Sequence, residues 1–136
     1  MELQKIRQSL LAQHDELRRL MTDIEASIAR KSPIDVVSRK VATLSDAMEQ
    51  HMRLEESRLG PILESIDAWG PERVQSMLAE HEEEHLALRE GLTVRPGSEA
   101  ALVAALEGIR AHMIKEEREM LREDLLKDDV VLVDAD

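Results

Sequence analysis

Five histidines and two glutamates carry the chemistry that this chain offers. Residues 81–85 read HEEEH, two imidazoles one helical turn apart, which matches the helical zinc-protease signature H-E-x-x-H with its glutamate base. His51 and Glu55 bracket the stretch HMRLE, His112 and Glu116 bracket HMIKE, and His14 stands alone. A separation of four residues puts both members of each pair on the same helix face. Neutral imidazoles and carboxylates are donors for first-row divalent cations. The chain has no cysteine, which excludes thiolate sites, disulfides and cysteine nucleophiles.

Helices must position these groups. Breaks fall at ARKSPID around Ser32 and Pro33, at AWGPE (68–72) and at TVRPGSE (93–99). Ser32 is expected as an N-cap, with Pro33 at the first helical position and Asp35 as a capping-box partner. Pro71 is expected to open the third helix and Ser98 to cap the fourth. The intervening segments predict helices over 3–30, 33–59, 71–91 and 99–126. Gly60 and Pro61 should end or kink the second, with ILESIDA adding a short helical piece. Short connections favour antiparallel neighbours, so the expected fold class is all-α, an up-down-up-down antiparallel four-helix bundle over residues 1–126. Residues 127–136 read as an acidic C-terminal tail.

Each predicted helix carries an apolar seam at alternating spacings of three and four. The seams run Leu10, His14, Leu17, Met21, Ile24, Ile28; then Ile34, Val37, Val41, Leu44, Met48, His51, Glu55. The third runs Val74, Leu78, His81, His85, Leu88, Leu92, and the fourth Leu102, Ala105, Ile109, His112, Glu116, Met120. All five histidines fall on a seam, as do Glu55 and Glu116. A buried carboxylate costs several kcal/mol unless it is paired. Bound cations would remove that cost at every one of these positions together. Seven donors exceed what one tetrahedral zinc needs. They suit two octahedral ions bridged by both carboxylates, with one coordination position to spare; iron, zinc and manganese are all chemically admissible.

In this order, His14, HMRLE, HEEEH and HMIKE, the chain resembles the hemerythrin-like (HHE cation-binding) family of non-heme di-iron proteins, over roughly residues 10–126. The stretches EESRLGPIL and EEREML are similar to the double-glutamate runs of that family. The resemblance implies two iron ions, oxo- or hydroxo-bridged. It implies that His81, His85 and His112 bind one iron, that His14 and His51 bind the other, and that Glu55 and Glu116 bridge them. The open position on the less-ligated iron is where O2 or a related small ligand binds in that family. Its oxygen carriers place an aspartate five residues after the last histidine. Here that position is Glu117, whereas the seam favours Glu116. The chain also lacks Phe and Tyr, so aliphatic side chains such as Leu17, Leu54 or Met113 must line any ligand pocket.

Composition narrows the function further. A formal net charge of −11 argues against nucleic acid or an anionic membrane surface as partner. No run of residues reads as a signal peptide or a membrane span, so a cytoplasmic place is the expectation. The seven methionines read as aliphatic filler in a core without Phe. Glu82-x-x-His85 is one of the two E-x-x-H motifs that a ferritin-like di-iron site needs, and no second is present. A protease would need Glu82 beside a zinc-bound water, but Glu82 lies about 100° around the helix from His81. The three glutamates between the histidines therefore read as solvated surface. The leading expectation is a di-iron protein that binds O2, NO or peroxide for sensing, storage or delivery. The alternatives are a stress-response enzyme, acting in peroxide reduction, iron oxidation or nitrosative repair, and an iron-responsive regulatory module.

Overall fold

A computed structural model describes residues 2–121, apart from the side chains of residues 2 and 87–91. The described chain is all helical: α1 (Glu2–Ala29), α2 (Ile34–Leu54), a π-helical turn (Glu55–Leu59), α3 (Gly60–Ile66), α4 (Gly70–Gly91) and α5 (Glu99–Glu119). The expected second helix thus exists as α2 and the π-helical turn, and α3 is the short helical piece expected after Gly60–Pro61. α5 closes at Glu119, where the amides of Met120 and Leu121 both donate to the Glu116 carbonyl. At Met120 and Leu121 the predicted helix has already ended; its remainder at 122–126 and the tail at 127–136 lie outside the described residues, as does the side chain of the seam position Leu88.

Aliphatic periodicity produces two apolar clusters. One gathers Leu17, Met21, Leu44, Met48, Leu106 and Met113 from α1, α2 and α5. The other gathers Ile6, Leu10, Leu59, Leu63, Met77 and Met120. The histidines and carboxylates lie between them in chain order: His14 between Leu10 and Leu17, His51 and Glu55 between Met48 and Leu59, Glu116 between Met113 and Met120. A polar layer with aliphatic packing on both sides is screened from solvent, which raises the stakes for every charge inside it. Met48, Met52, Met77, Met113 and Met120 are all buried, as befits aliphatic filler.

Pro71 stands in the first turn of α4 as expected, but the break before α2 is built differently. Pro33, not Ser32, occupies the N-cap of α2. Lys31 takes a left-handed φ of 57°, and the Ser32 amide donates back to the Ser27 carbonyl, which closes α1 before the new helix starts. Asp35 pairs with Arg39 one turn along rather than completing a capping box. Ser98 is at the N-cap of α5, but its hydroxyl bonds the Arg95 backbone instead. Ile34 and Leu78, expected inward, are exposed. Ile34 is the first residue of its helix, outside the packed turns, and Leu78 reflects the rotational setting of α4 described below. At Gly70 a Cβ would lie 2.0 Å from the Leu63 carbonyl oxygen. Only glycine lets α4 start that close to α3.

Candidate metal centre

Each long helix brings at least one imidazole or carboxylate to the polar layer. α1 supplies His14, α2 His51, α4 His81, and α5 both His112 and Glu116. Glu55 comes from the π-helical turn, where the Gly60 amide reaches back five residues to the Glu55 carbonyl. Pro61 has no amide to donate, so a regular ladder would lose a bond at this place, and the wider turn absorbs the break. Glu55 and Leu59 are both buried. The expected break at Gly60–Pro61 is thus taken up by the π-helical turn, while the Glu55 amide keeps the regular bond to the His51 carbonyl one turn back.

Three donor atoms meet in one triangle. His14 Nε2 lies 3.0 Å from His51 Nε2 and 2.9 Å from Glu116 Oε1, and His51 Nε2 lies 3.2 Å from the same oxygen. A second group unites Glu55, His81 and Glu116, with donor atoms all within 4.8 Å of one another. Glu55 Oε1 is 3.1 Å from His51 Nε2 and 3.3 Å from His81 Nε2. Glu116 is common to both groups, and its Oε2 lies 3.1 Å from His112 Nε2.

The outer ring nitrogens are held from behind, each by the helix next in the circuit. Gln13 of α1 sits 2.7 Å from His51 Nδ1, and Glu56 beyond α2 sits 2.8 Å from His81 Nδ1. Glu80 of α4 sits 3.4 Å from His112 Nδ1, and Glu117 of α5 sits 2.7 Å from His14 Nδ1. The oxygens of Gln13, Glu56 and Glu117 accept, so Nδ1 of His51, His81 and His14 donates, while Glu80 stands at ion-pair distance from His112; each Nε2 turns its remaining position inward. Arg18 clamps Glu117 at 2.7 Å, and Lys115 pairs with Glu80. Outer partners of this kind fix imidazole orientation and raise donor strength at metal sites.

Charge in the layer is balanced by protons. Burial works against a charged His51, but the carboxylates of Glu116 and Glu55 outweigh it and hold His51 up at about 9. His81 is likewise raised to about 9, against burial, by Glu55 and Glu56. His112 is raised to about 10, against burial, by Glu116 and Glu84. Burial also opposes ionisation of Glu116, yet His112, His14 and His51 together hold it well below the ordinary carboxylate range. Glu55 goes the other way: burial raises it, and the nearby imidazoles offset only part of that.

Six of the seven expected residues converge: His14, His51, Glu55, His81, Glu116, all buried, and His112, which is mostly so. His85 does not join them, because its side chain is exposed on the outer face of α4. At about 100° per residue, Met77 and Glu84 lie on one side of His81, by about 40° and 60°, and His85 about 40° on the other. α4 turns Met77 and Glu84 inward, which carries His85 and Leu78 out. Glu84 was expected in solvent but is instead 11% exposed, with its Oε1 2.9 Å from His112 Nε2. Of the two candidate glutamates on α5, Glu116 is in the layer and Glu117 behind His14. Gln13, Glu56 and Glu80 were not foreseen as partners. The signal for them is adjacency, since Gln13, Glu56, Glu80 and Glu117 each neighbour an inward donor in the chain.

The layer fits a cation. Both Glu55 oxygens, His81 Nε2 and Glu84 Oε1 are buried with no hydrogen-bond partner, despite neighbours at ion-pair distance. Buried polar atoms are seldom left that way. Two imidazole nitrogens facing each other at 3.0 Å also need positive charge, a proton or an ion, between or beside them. Nitrogen and oxygen donors without sulfur match a first-row divalent metal. No curated protein and no solved structure was found to match the chain. A family model does match, that of the hemerythrin HHE cation-binding domain, over residues 5–123. With that match spanning nearly all the described helices and both donor groups inside it, the chain belongs to the hemerythrin HHE cation-binding domain family.

Proposed function

We propose that the polar layer holds two iron ions, oxo- or hydroxo-bridged, and takes O2, or the related ligands NO and peroxide, for sensing, storage or delivery. The observation that carries this reading is the pair of donor groups sharing Glu116. Two irons held side by side supply the redox chemistry that such a ligand requires. His14, His51 and Glu116 would hold one ion; Glu55, His81, His112 and Glu116 would hold the other. His85 stays in the proposed set on its spacing, one helical turn from His81. The up-down-up-down course of the bundle is part of the same reading, since it brings residues from four helices to one level. Gln13, Glu56, Glu80 and Glu117 orient the imidazoles, while Leu17 and Met113, both buried, exclude water from the apolar side.

The test is metal content and spectrum. Chain purified from an iron-replete host should carry two irons and show oxo-bridged ferric absorption that O2 or NO alters. Iron without any response of the spectrum to either gas would overturn the ligand-binding reading. Chelation should lower the melting temperature by roughly 10 °C, the scale set by loss of a ligand bound well above its dissociation constant. An unchanged melting temperature after verified removal would count against any buried ion.

A further inference from the structure

Between α4 and α5 runs a groove of about 510 Å³ that no part of the proposed chemistry uses. Small residues of α5, Ala104, Gly108 and Ala111, line one side, and Glu80, Glu83 and Glu84 of α4 line the other. His112 also lines the groove. A Cβ added at Gly108 would meet nothing within 4 Å, so the passage is open at that point.

Exposure singles out this face of the centre. The His112 side chain is 15% exposed, against 0% for His14, 4% for His51 and 2% for His81. Glu84 spans groove and centre: it lines the former, and its Oε1, which accepts no hydrogen bond, stands at ion-pair distance, 2.9 Å, from His112 Nε2. The layer is otherwise packed between two aliphatic clusters, which oppose passage of a hydrated ion. Three carboxylates face one lysine in the groove, and Lys115 is already engaged by Glu80. Such a wall concentrates cations and speeds their arrival.

We propose that this groove is the route by which divalent cations reach and leave the centre, with the Glu84 carboxylate passing them to His112 and Glu116. The proposal rests on the metal-binding reading above. Each carboxylate along the wall replaces part of an ion's water shell before the imidazoles replace the rest. Ordered this way, dehydration proceeds in steps.

The experiment uses the full chain and cobalt(II), whose visible spectrum reports nitrogen and oxygen coordination. Gly108→Leu fills the groove at a helix-interior position where leucine is the better helix former, so the bundle should remain folded. Uptake should then slow by roughly tenfold or more, because loading must await local opening, while the final stoichiometry stays that of the unaltered chain. Glu84→Gln, which leaves the groove open, should also slow uptake several-fold, and Glu83→Gln should slow it at low salt but not at high salt. Unaltered uptake rates in Gly108→Leu and Glu84→Gln, at full stoichiometry, would overturn the route alone. Failure of the unaltered chain to take up any cobalt would overturn the metal reading, and the route with it.

Discussion

Loading the centre should expel protons, in a number that the structure fixes. Near pH 7.5 the ion-free chain holds a proton on each of His51, His81 and His112, since these are raised to about 9, 9 and 10. Their Nδ1 atoms face Gln13, Glu56 and Glu80, so the proton that must go is the one on Nε2, which points into the layer. Imidazole binds a metal only through a bare nitrogen, so filling the centre should release about three protons per chain. The raised Glu55 carboxyl can add to that number. Linkage sets the companion effect: overall binding should strengthen by roughly three decades per pH unit below pH 9, and the slope should flatten through 9–10 as the protons leave unaided. Calorimetric titration with manganese(II) or cobalt(II), in buffers of different ionisation enthalpy, counts the protons directly. Release of less than one proton per chain, at full stoichiometry, would refute the assignment of charge in the layer.

The same histidines make the ion-free chain sensitive to alkali. Their folded values lie above the ordinary value of about 6.5, so their contribution is complete below that pH and is lost as pH rises through 9–10. Denaturant midpoints measured at pH 7 and pH 10 should fall accordingly, and a loaded chain should show a smaller fall. Glu116→Ala should abolish binding at both ions, whereas Glu117→Ala should keep the stoichiometry and weaken affinity by roughly 10–100-fold, the scale for outer partners. Equilibrium dialysis distinguishes them, and equal losses would sink the distinction between inner and outer glutamate. Glu82→Ala, on the exposed side of α4, should leave binding nearly intact, but His81→Ala should not. Gly70→Ala should destabilise by about 1–3 kcal/mol in denaturant titration, because a Cβ cannot stand 2.0 Å from the Leu63 carbonyl.

Most of the layer was legible because α1 and α2 have seams with a single apolar solution, whereas α5 buries Leu106 and Met113 in place of the expected Ala105 and leaves His112 half-buried. Leu10–His14–Leu17 and Met48–His51–Glu55 admit one inward face, and burial follows it. α4 is different. Its stretch HEEEHLALRE is polar almost all round, and Leu78 and Leu86 lie outside the buried stripe. Hydrophobic periodicity then permits two rotational settings that share His81, one with His85 inward and one with Glu84 inward. The π-helical turn was visible only through Gly60–Pro61, because apolar spacing does not encode which carbonyl an amide reaches. The outer partners escaped for a related reason. Charged residues on a helix read as surface, and only the neighbouring helix reveals that Glu56 or Glu80 is turned toward an imidazole.

The four outer contacts close on themselves: α1 braces the imidazole of α2, the α2 path that of α4, α4 that of α5, and α5 that of α1. A cycle has no terminal member. Twisting any one helix about its axis disturbs both the imidazole it presents and the one it braces, so the disturbance travels in both directions until it meets itself. Such a ring behaves like a set of interlocked gears with no slack, in which all four members turn or none does. Donor geometry is then governed by the circuit rather than by the connecting loops, and a backbone cut at the 92–98 connection should leave the arrangement of imidazoles in place.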